Sequence, residues 1–237
     1  MFGPEYLEVY EVTHSNRGKS WPDEALDITT RIRQRCPGAT SLLDVACGGG
    51  LHLRTFAAKF DRVAGLEPGA DMRRLAAQRV PGVPLHDADM RDFRLHTTFD
   101  AVTCLFVAIN CLETEADLRA AVASMARHLT PGGVLVIEPW WFPERFLDGY
   151  VGGDLLREES RTIARVSRST REGRATRMEE RWLIGDDSGI REVSQVTMLT
   201  MYTRAEYEQA FAAAGCSVHY EEGWLTGRGL FLGVRAG

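Results

Sequence analysis

The chain has 237 residues, 44% of them apolar and 26% charged, and a formal net charge of −5. This is an ordinary globular composition, long enough for one large domain or a domain with a subdomain, and it excludes a disordered, collagen-like or disulfide mini-fold chain. The acidic balance argues against a nucleic-acid partner, because phosphate contact favours a basic face.

The first segment, MFGPEYLEVYEVTHSNRGK, carries acids and no apolar stretch, so it does not read as a signal peptide. No stretch reaches the roughly 18 apolar residues of a membrane span. Ser41–Cys47 (SLLDVAC) is a short apolar run ending in glycines, hence a buried strand. Leu51–Phe60 has helical spacing, Arg62–Glu67 is a second strand, and Ala70–Arg79 a second helix. Val83–His86 is a weak third strand, Phe99–Phe106 a fourth, and Glu115–His128 a helix with one apolar face. Pro131-Gly132-Gly133 turns into Val134–Glu138, a fifth strand. Strands that are nearly all apolar, alternating with helices, imply a parallel sheet covered on both faces.

The pattern changes after Glu138. Residues 139–156 are aromatic and irregular, and Thr162–Thr170, Thr176–Ile184 and Ile190–Met201 read as antiparallel strands separated by turn clusters. Arginines recur every three or four residues from Arg157 to Arg181, but β-branched residues and Gly173 oppose one long helix. Arg204–Ala214 is a helix ended by Gly215, and Val218–Glu221 with Gly229–Val234 finish the chain as strands. The expected fold is α/β: a seven-stranded, mostly parallel Rossmann-like sheet with an inserted antiparallel β layer. Its units are residues 1–138, the inserted 139–201, and 202–237. The insertion offers apolar area and edges that suit a homodimer.

Five cysteines, an odd number without CxxC spacing, read as reduced thiols of a cytoplasmic protein with no metal site. The 28 basic residues include only two lysines, Lys19 and Lys59. Codon bias explains most of that surplus, and bidentate grip on a di-anionic ligand would explain a few arginines.

Chemistry concentrates at Asp44-Val-Ala-Cys-Gly48-Gly49-Gly50. It lacks the third glycine of a dinucleotide loop, which Leu53 replaces, and the Lys-Ser/Thr of a P-loop. It suits a nucleoside with an amino-acid tail. Glu67, 17 residues after Gly50, stands where a carboxylate accepts from both ribose hydroxyls. Asp89 can accept from an adenine amino group and Met90 can pack on the ring, although Asp89 can equally cap a short helix.

DVACGGG, Glu67, Asp89-Met90 and LTPGG at 129–133, in this order, resemble class I S-adenosylmethionine-dependent methyltransferases. LLDVACGGGLHL, DMRDF, VIEPWWFPE, ARVSRSTREGRATRME and TGRGLF further resemble the TDP-aminosugar N,N-dimethyltransferases of macrolide biosynthesis, along essentially the whole chain. The resemblance implies S-adenosylmethionine as cofactor, held by Asp44, Ala46, Gly48, Gly50, Glu67, Pro68, Met72, Asp89, Met90 and Leu105. A lid with Tyr10, Arg17 and Lys19 would close over its carboxylate; the family often has Tyr where Phe2 stands.

The reaction implied is methyl transfer to a neutral amine of a nucleotide-linked aminosugar. Candidates for handling its proton or orienting it are Cys111, Asn110 and His14, and Glu138 could hold an ammonium. The family pattern MFSSxGHL or MFSSxGYL stands here as Leu105-Phe-Val-Ala-Ile-Asn110-Cys111-Leu, so both serines are lost and Cys111 fills the His/Tyr slot. That change keeps an oxygen or a different small amine open as acceptor. Trp140, Trp141 and Tyr150 would supply stacking surface, and Arg165, Ser167, Arg177 and Arg228 would face the nucleotide sugar. Thr226-Gly227-Arg228-Gly229 suits phosphate, though Trp224-Leu225-Thr226 replaces the family's Gly-Pro-Ser. The other arginines of 157–191 alternate with acids, Glu180 among them, as solvated ion pairs. A non-catalytic cofactor-binding protein remains the reading from another class.

Overall fold

The computed structural model describes residues 4–237. Helices α1 (Pro4–Asn16) and α2 (Trp21–Arg35) precede β1 (Ser41–Val45), α3 (Leu51–Ala57), β2 (Arg62–Leu66) and α4 (Ala70–Arg79). Then come β3 (Leu85–His86), β4 (Phe99–Cys104), α5 (Glu115–Arg127) and β5 (Leu129–Ile137). Four strands follow: β6 (Tyr150–Arg157), β7 (Thr162–Glu172), β8 (Ala175–Asp186) and β9 (Gly189–Thr200). α6 (Arg204–Ala213), β10 (Cys216–Glu221) and β11 (Leu230–Arg235) end the chain.

The main sheet has seven strands in the order β10-β11-β5-β4-β1-β2-β3. Its middle is parallel, with Leu43 opposite Ala64 on one side and Val102 on the other. β11 and β10 close it antiparallel. All of β1 is buried, as a strand sheathed by helices on both faces must be. Alternate residues feed two cores, Leu43, Val102 and Leu135 towards α5 and α6, and Leu42, Ala101 and Val134 towards α2 and α3. Sequential strands leave β1 in opposite directions, to β2 and to β4, which puts a crevice at their carboxyl ends.

A second sheet runs β6-β7-β8-β9, fully antiparallel. A third core, with Tyr6, Val9, Ile163, Trp182 and Val193, fastens α1 to it, and Trp182 Nε1 donates to Thr13 Oγ1 at 3.1 Å. On its other side, α1 is tied to α4: Glu11 accepts from Arg79 at 2.8 and 2.9 Å, and Arg79 also donates to the Gly49 carbonyl. Helix α1 therefore bridges the two sheets.

The structure adds two helices and corrects two expectations. Helices α1 and α2 precede the first element that the sequence pattern predicts; Ser20, accepting from Asp23 N, and Pro22 start α2. Tyr150–Arg157, placed in an irregular stretch, is a strand paired along its length with β7; Gly152 and Gly153 hide its alternation. Pro131-Gly132-Gly133 lies within β5 as an irregularity rather than before it, since Phe99 pairs with Leu129 but Ala101 with Val134.

Candidate active site

The carboxyl ends of β1, β2 and β4, the lid helix α1 and the inner face of the second sheet line one cleft of about 1390 Å³. A single small-ligand site runs to roughly 300–1,000 Å³, so this cleft has room for two ligands.

On the main-sheet side, Gly48 adopts φ +54° and nothing lies within 4 Å of where its Cβ would be. Gly50 does different work. At φ +80° it caps α3, where a Cβ would meet Ala76 Cβ at 3.2 Å, and it stands off the cleft wall. Glu67 accepts from Gly48 N at 3.0 Å and Gly69 N at 2.8 Å. Burial raises its pKa, and about half of a carboxylate's acceptor capacity remains. Pro68 and Met72 flank it on the cleft wall. Asp44 accepts from Thr103 Oγ1 at 2.7 Å, and burial lifts its pKa to about 6. Asp89 and Met90 also line the cleft, with Asp89 held by Arg91 through Nη2 at 2.7 Å and Nε at 2.9 Å. Among the described residues, the non-glycines with positive φ are Ala46, Phe106 and Val107, and all three are cleft residues, as is Leu105. Backbone strain has collected at the site.

Phe106 is ringed by Tyr10, His14 and Trp21, with centroids at 5.9, 4.9 and 5.2 Å. The Lys19 ammonium lies over Trp21 and Phe106 at 4.3 and 4.1 Å and pairs with Glu24 at 2.6 Å. Glu24 also holds His52 Nε2 at 2.8 Å. Lys19 is thus on the cleft wall but already neutralised; burial lowers its pKa. Burial and then the charges of Lys19, Arg165, Arg17 and Arg228 push His14 down to about 3, so it is a neutral imidazole across the physiological range. Arg17 sits 3.6 Å from Asp154. Phe2 lies outside the described residues.

On the second-sheet side, Arg165, Ser167 and Ser169 of β7, Met178 and Glu180 of β8 and Thr197 of β9 face the cleft. Arg165 and Glu180 are only 4% and 3% exposed and pair at 2.5 Å, with Asp154 at 3.0 Å from Arg165. Glu180 is therefore a buried partner, not the solvated acid expected. Arg177 is also corrected. The register puts Ser169 opposite Met178, which leaves Arg177 on the outer face, paired with Glu179 at 2.7 Å. Alternation along one strand does not say which of its faces joins the neighbour's inner face.

Trp140, Trp141 and Tyr150 line the cleft, and Trp140 Nε1 donates to Thr176 Oγ1 at 3.1 Å. Asn110 does not line it. It is 1% exposed, donates to Thr200 O at 2.7 Å, and its Oδ1 accepts from Trp140 N and Tyr207 Oη at 2.8 and 3.0 Å. Its amide braces the fold and is not free for a substrate amine. Cys111 does face the cleft, where desolvation raises its thiol above the ordinary value and keeps it protonated at neutral pH. Glu138 is wholly buried and accepts from Phe106 N at 2.7 Å and Arg228 Nη2 at 2.5 Å, so it cannot hold a substrate ammonium. Among the described residues, four buried polar atoms on the wall have no partner: Trp21 Nε1 on the lid side, and Thr197 Oγ1, Thr226 Oγ1 and Arg228 Nε. The sequence reading missed Phe106, Glu180, Thr197 and Thr226. Only the TGRG motif offered a signal, for Thr226.

Residues 42–133 match a methyltransferase-domain family model. Over all 237 residues, covering 100% of both chains, the protein is 51% identical to a dTDP-3-amino-3,4,6-trideoxy-alpha-D-glucopyranose N,N-dimethyltransferase of Streptomyces venezuelae. It is 45% identical to a dTDP-4-amino-2,3,4,6-tetradeoxy-D-glucose N,N-dimethyltransferase of Saccharopolyspora spinosa, covering 99% of this chain and 94% of that one. This chain belongs to the dTDP-aminosugar N,N-dimethyltransferase family. A solved S-adenosylmethionine-bound amino pentose methyltransferase from Micromonospora echinaspora, of calicheamicin biosynthesis, superposes with a TM-score of 0.93 and 66% identity, covering 96% of this chain and 97% of that one.

S-adenosylmethionine, the cofactor of such an N,N-dimethyltransferase, fits what the main-sheet side presents. Gly48 leaves open space, and Glu67 has spare acceptor capacity that the ribose hydroxyls would use. Asp89 and Met90 would offer an acceptor and an apolar surface to adenine. When bound, the cofactor supplies a methyl group on a sulfonium with its own leaving group. The protein's part is to align a neutral amine with that methyl and keep both in place.

Proposed function

We propose that this enzyme methylates the amine of a dTDP-linked aminodeoxysugar in antibiotic biosynthesis. Relatives of full length carry that activity in their names. The observation that carries the reading to this cleft is its set of orphaned donors and acceptors. Thr226 Oγ1 and Arg228 Nε lie on one glycine-flanked loop, and Thr197 Oγ1 lies on the second-sheet wall, away from the cofactor floor. A dTDP diphosphate and sugar would satisfy them, with Arg228 on phosphate and Ser167 and Arg165 along the same wall. Trp140, Trp141 and Tyr150 supply surface for the base. His14, neutral and beside Phe106, is the candidate to orient the amine through a hydrogen bond; with its pKa pushed down to about 3 it does not hold the amine's proton, which leaves to solvent. Cys111 packs beside the acceptor.

The test is calorimetry with S-adenosylhomocysteine present. dTDP should bind and Arg228→Ala should weaken it about tenfold or more, with cofactor affinity little changed. No dTDP binding, or equal loss of both ligands, would remove the nucleotide-sugar reading in favour of another small amine or hydroxyl acceptor. The 66% identity to an amino pentose enzyme favours a pentose acceptor. Turnover of a dTDP-linked amino pentose against a 3-amino-3,4,6-trideoxyhexose decides that point.

We also propose a homodimer through the outer face of the second sheet. Leu155, Val166, Leu183 and Ile190 are 57, 59, 52 and 82% exposed there. Arg168, Glu179 and Arg181 intersperse charges of both signs, so two copies can pair. Sedimentation should give twice the chain mass for the native protein and the single mass for Val166→Glu with Leu183→Glu; an unchanged mass rejects this face. A cytoplasmic setting agrees with five free thiols. Among the described residues no helix is long and apolar enough to cross a membrane.

A further inference from the structure

Glu138 directly follows β5, and its own N–H is bonded to Cys104 O at 3.0 Å, so its backbone is pinned to the end of β4. Its carboxylate is 0% exposed and does not line the cleft. One oxygen takes the Phe106 N–H and the other the Arg228 guanidinium. These partners come from separate loops. Phe106 and Val107 hold φ of +50° and +60°, a conformation that costs a β-branched residue heavily and persists only where neighbours over-determine it. The Phe106 N–H bond is such a restraint. The Arg228 guanidinium carbon lies 5.8 Å from the Phe106 ring and 5.5 Å from the Trp140 ring, and its Nε is left buried without a partner. A buried carboxylate is costly to keep, and a bidentate donor fork is useful only when its plane is fixed.

We propose that Glu138 is a positioning residue for the acceptor: it fixes the plane of Arg228 between Phe106 and Trp140, so that the guanidinium edge with the free Nε is presented to the dTDP diphosphate. This rests on the reading of Arg228 as a diphosphate ligand. Glu138 touches neither ligand and acts through its two partners. In Glu138→Gln the side chain keeps its shape, but its amide N–H must face one of two donors. Arg228 then loses its orientation while the main-sheet floor, with Gly48 and Glu67, is untouched.

The experiment measures dissociation constants of dTDP and of S-adenosylhomocysteine for Glu138→Gln, Arg228→Met and the double variant. Glu138→Gln should weaken dTDP about tenfold or more and the cofactor product by less than about threefold. In the Arg228→Met background, the same change should add less than about threefold, because both act in one chain of contacts. Weakening by Arg228→Met alone, or losses that multiply in the double variant, overturns the role of Glu138. An unchanged dTDP affinity in Arg228→Met overturns the underlying reading of Arg228 and this proposal with it. If Glu138→Gln does not fold, Arg228→Met is compared with Arg228→Met/Glu138→Leu, which replaces the pair by apolar groups. Equal dTDP affinities support the proposal and unequal ones reject it.

Discussion

The two sides of the cleft are built on different principles. The main-sheet side is mostly backbone: a turn after β1, an open position at Gly48, and one carboxylate, Glu67, held by two N–H groups with acceptor capacity to spare. The opposite side, built from the second sheet and the loop between β10 and β11, is mostly side chains, and its charges answer each other before any ligand arrives: Arg165 with Glu180 and Asp154, Arg228 with Glu138. A backbone floor can be specified by a short contiguous motif. A wall of paired side chains depends on which strand lies beside which, and its function rests on the few atoms the pairing leaves over.

The strongest way to sharpen this contrast is to break a charge pair. Arg165→Ala leaves Glu180 buried without its cation and should cost about 3–5 kcal/mol. That corresponds to roughly a 10 °C fall in Tm for a chain of this length, read by calorimetry. Arg165→Met with Glu180→Leu should recover most of the loss. A single variant no less stable than the double would show that the pair is not what stabilises this wall. On the opposite side, Glu67→Ala should weaken S-adenosylhomocysteine about 10- to 100-fold, through lost hydrogen bonds to a charged acceptor. dTDP affinity, measured on the same variant, should stay within a factor of about three. A parallel loss of both would mean that the two sides are one unit.

The same contrast explains what could be read in the sequence. Strands β1, β4 and β5 are apolar on both faces, so they announce themselves, and Asp44 to Gly50 with Glu67 follows from strand ends alone. The orientation of Arg177 was not legible, because the face it occupies depends on the Ser169–Met178 register rather than on its own strand. Asn110 looked like a polar group offered to a ligand, yet Thr200, Trp140 and Tyr207, all distant in sequence, consume it. Glu180 and Arg181 are neighbours in the chain and opposite in fate, one buried and one solvated. Strand β6 was hidden by its two glycines, and α1 by a helix whose buried side faces the inserted sheet rather than the main core.

The lid joins the two sides, and its titration tests whether their charges act together. His14 has an ordinary pKa of 6.5 and is pushed to about 3 by burial first and by four surrounding cations second. The unfolded chain takes up this proton near 6.5, whereas the folded protein resists it until about 3. The native state therefore holds its full advantage above 6.5, and that advantage drains away as the pH falls through this window. His14→Asn should flatten the fall of Tm between these values relative to the native protein. If dTDP lies on Arg228 as proposed, its added negative charge near His14 should move the window upward. Identical profiles with and without dTDP would separate the lid from the acceptor side.

The smallest effect belongs to Cys111. Its slot carries His or Tyr in the family pattern, which invites a catalytic role, but the cleft raises its thiol above the ordinary value and leaves a neutral group at working pH. A protonated thiol is a weak donor and no base, so the proposed function gives Cys111 only the part of a small wall residue of the cleft. Cys111→Ala should change kcat by less than about threefold, within what loss of a small packing contact produces, and should leave the pH–rate profile in place. Cys111→Tyr fills the same space and should raise the acceptor KM more than Cys111→Ala does. A shifted basic limb in Cys111→Ala would instead make the thiol the proton acceptor. The acceptor side would then carry chemistry as well as shape.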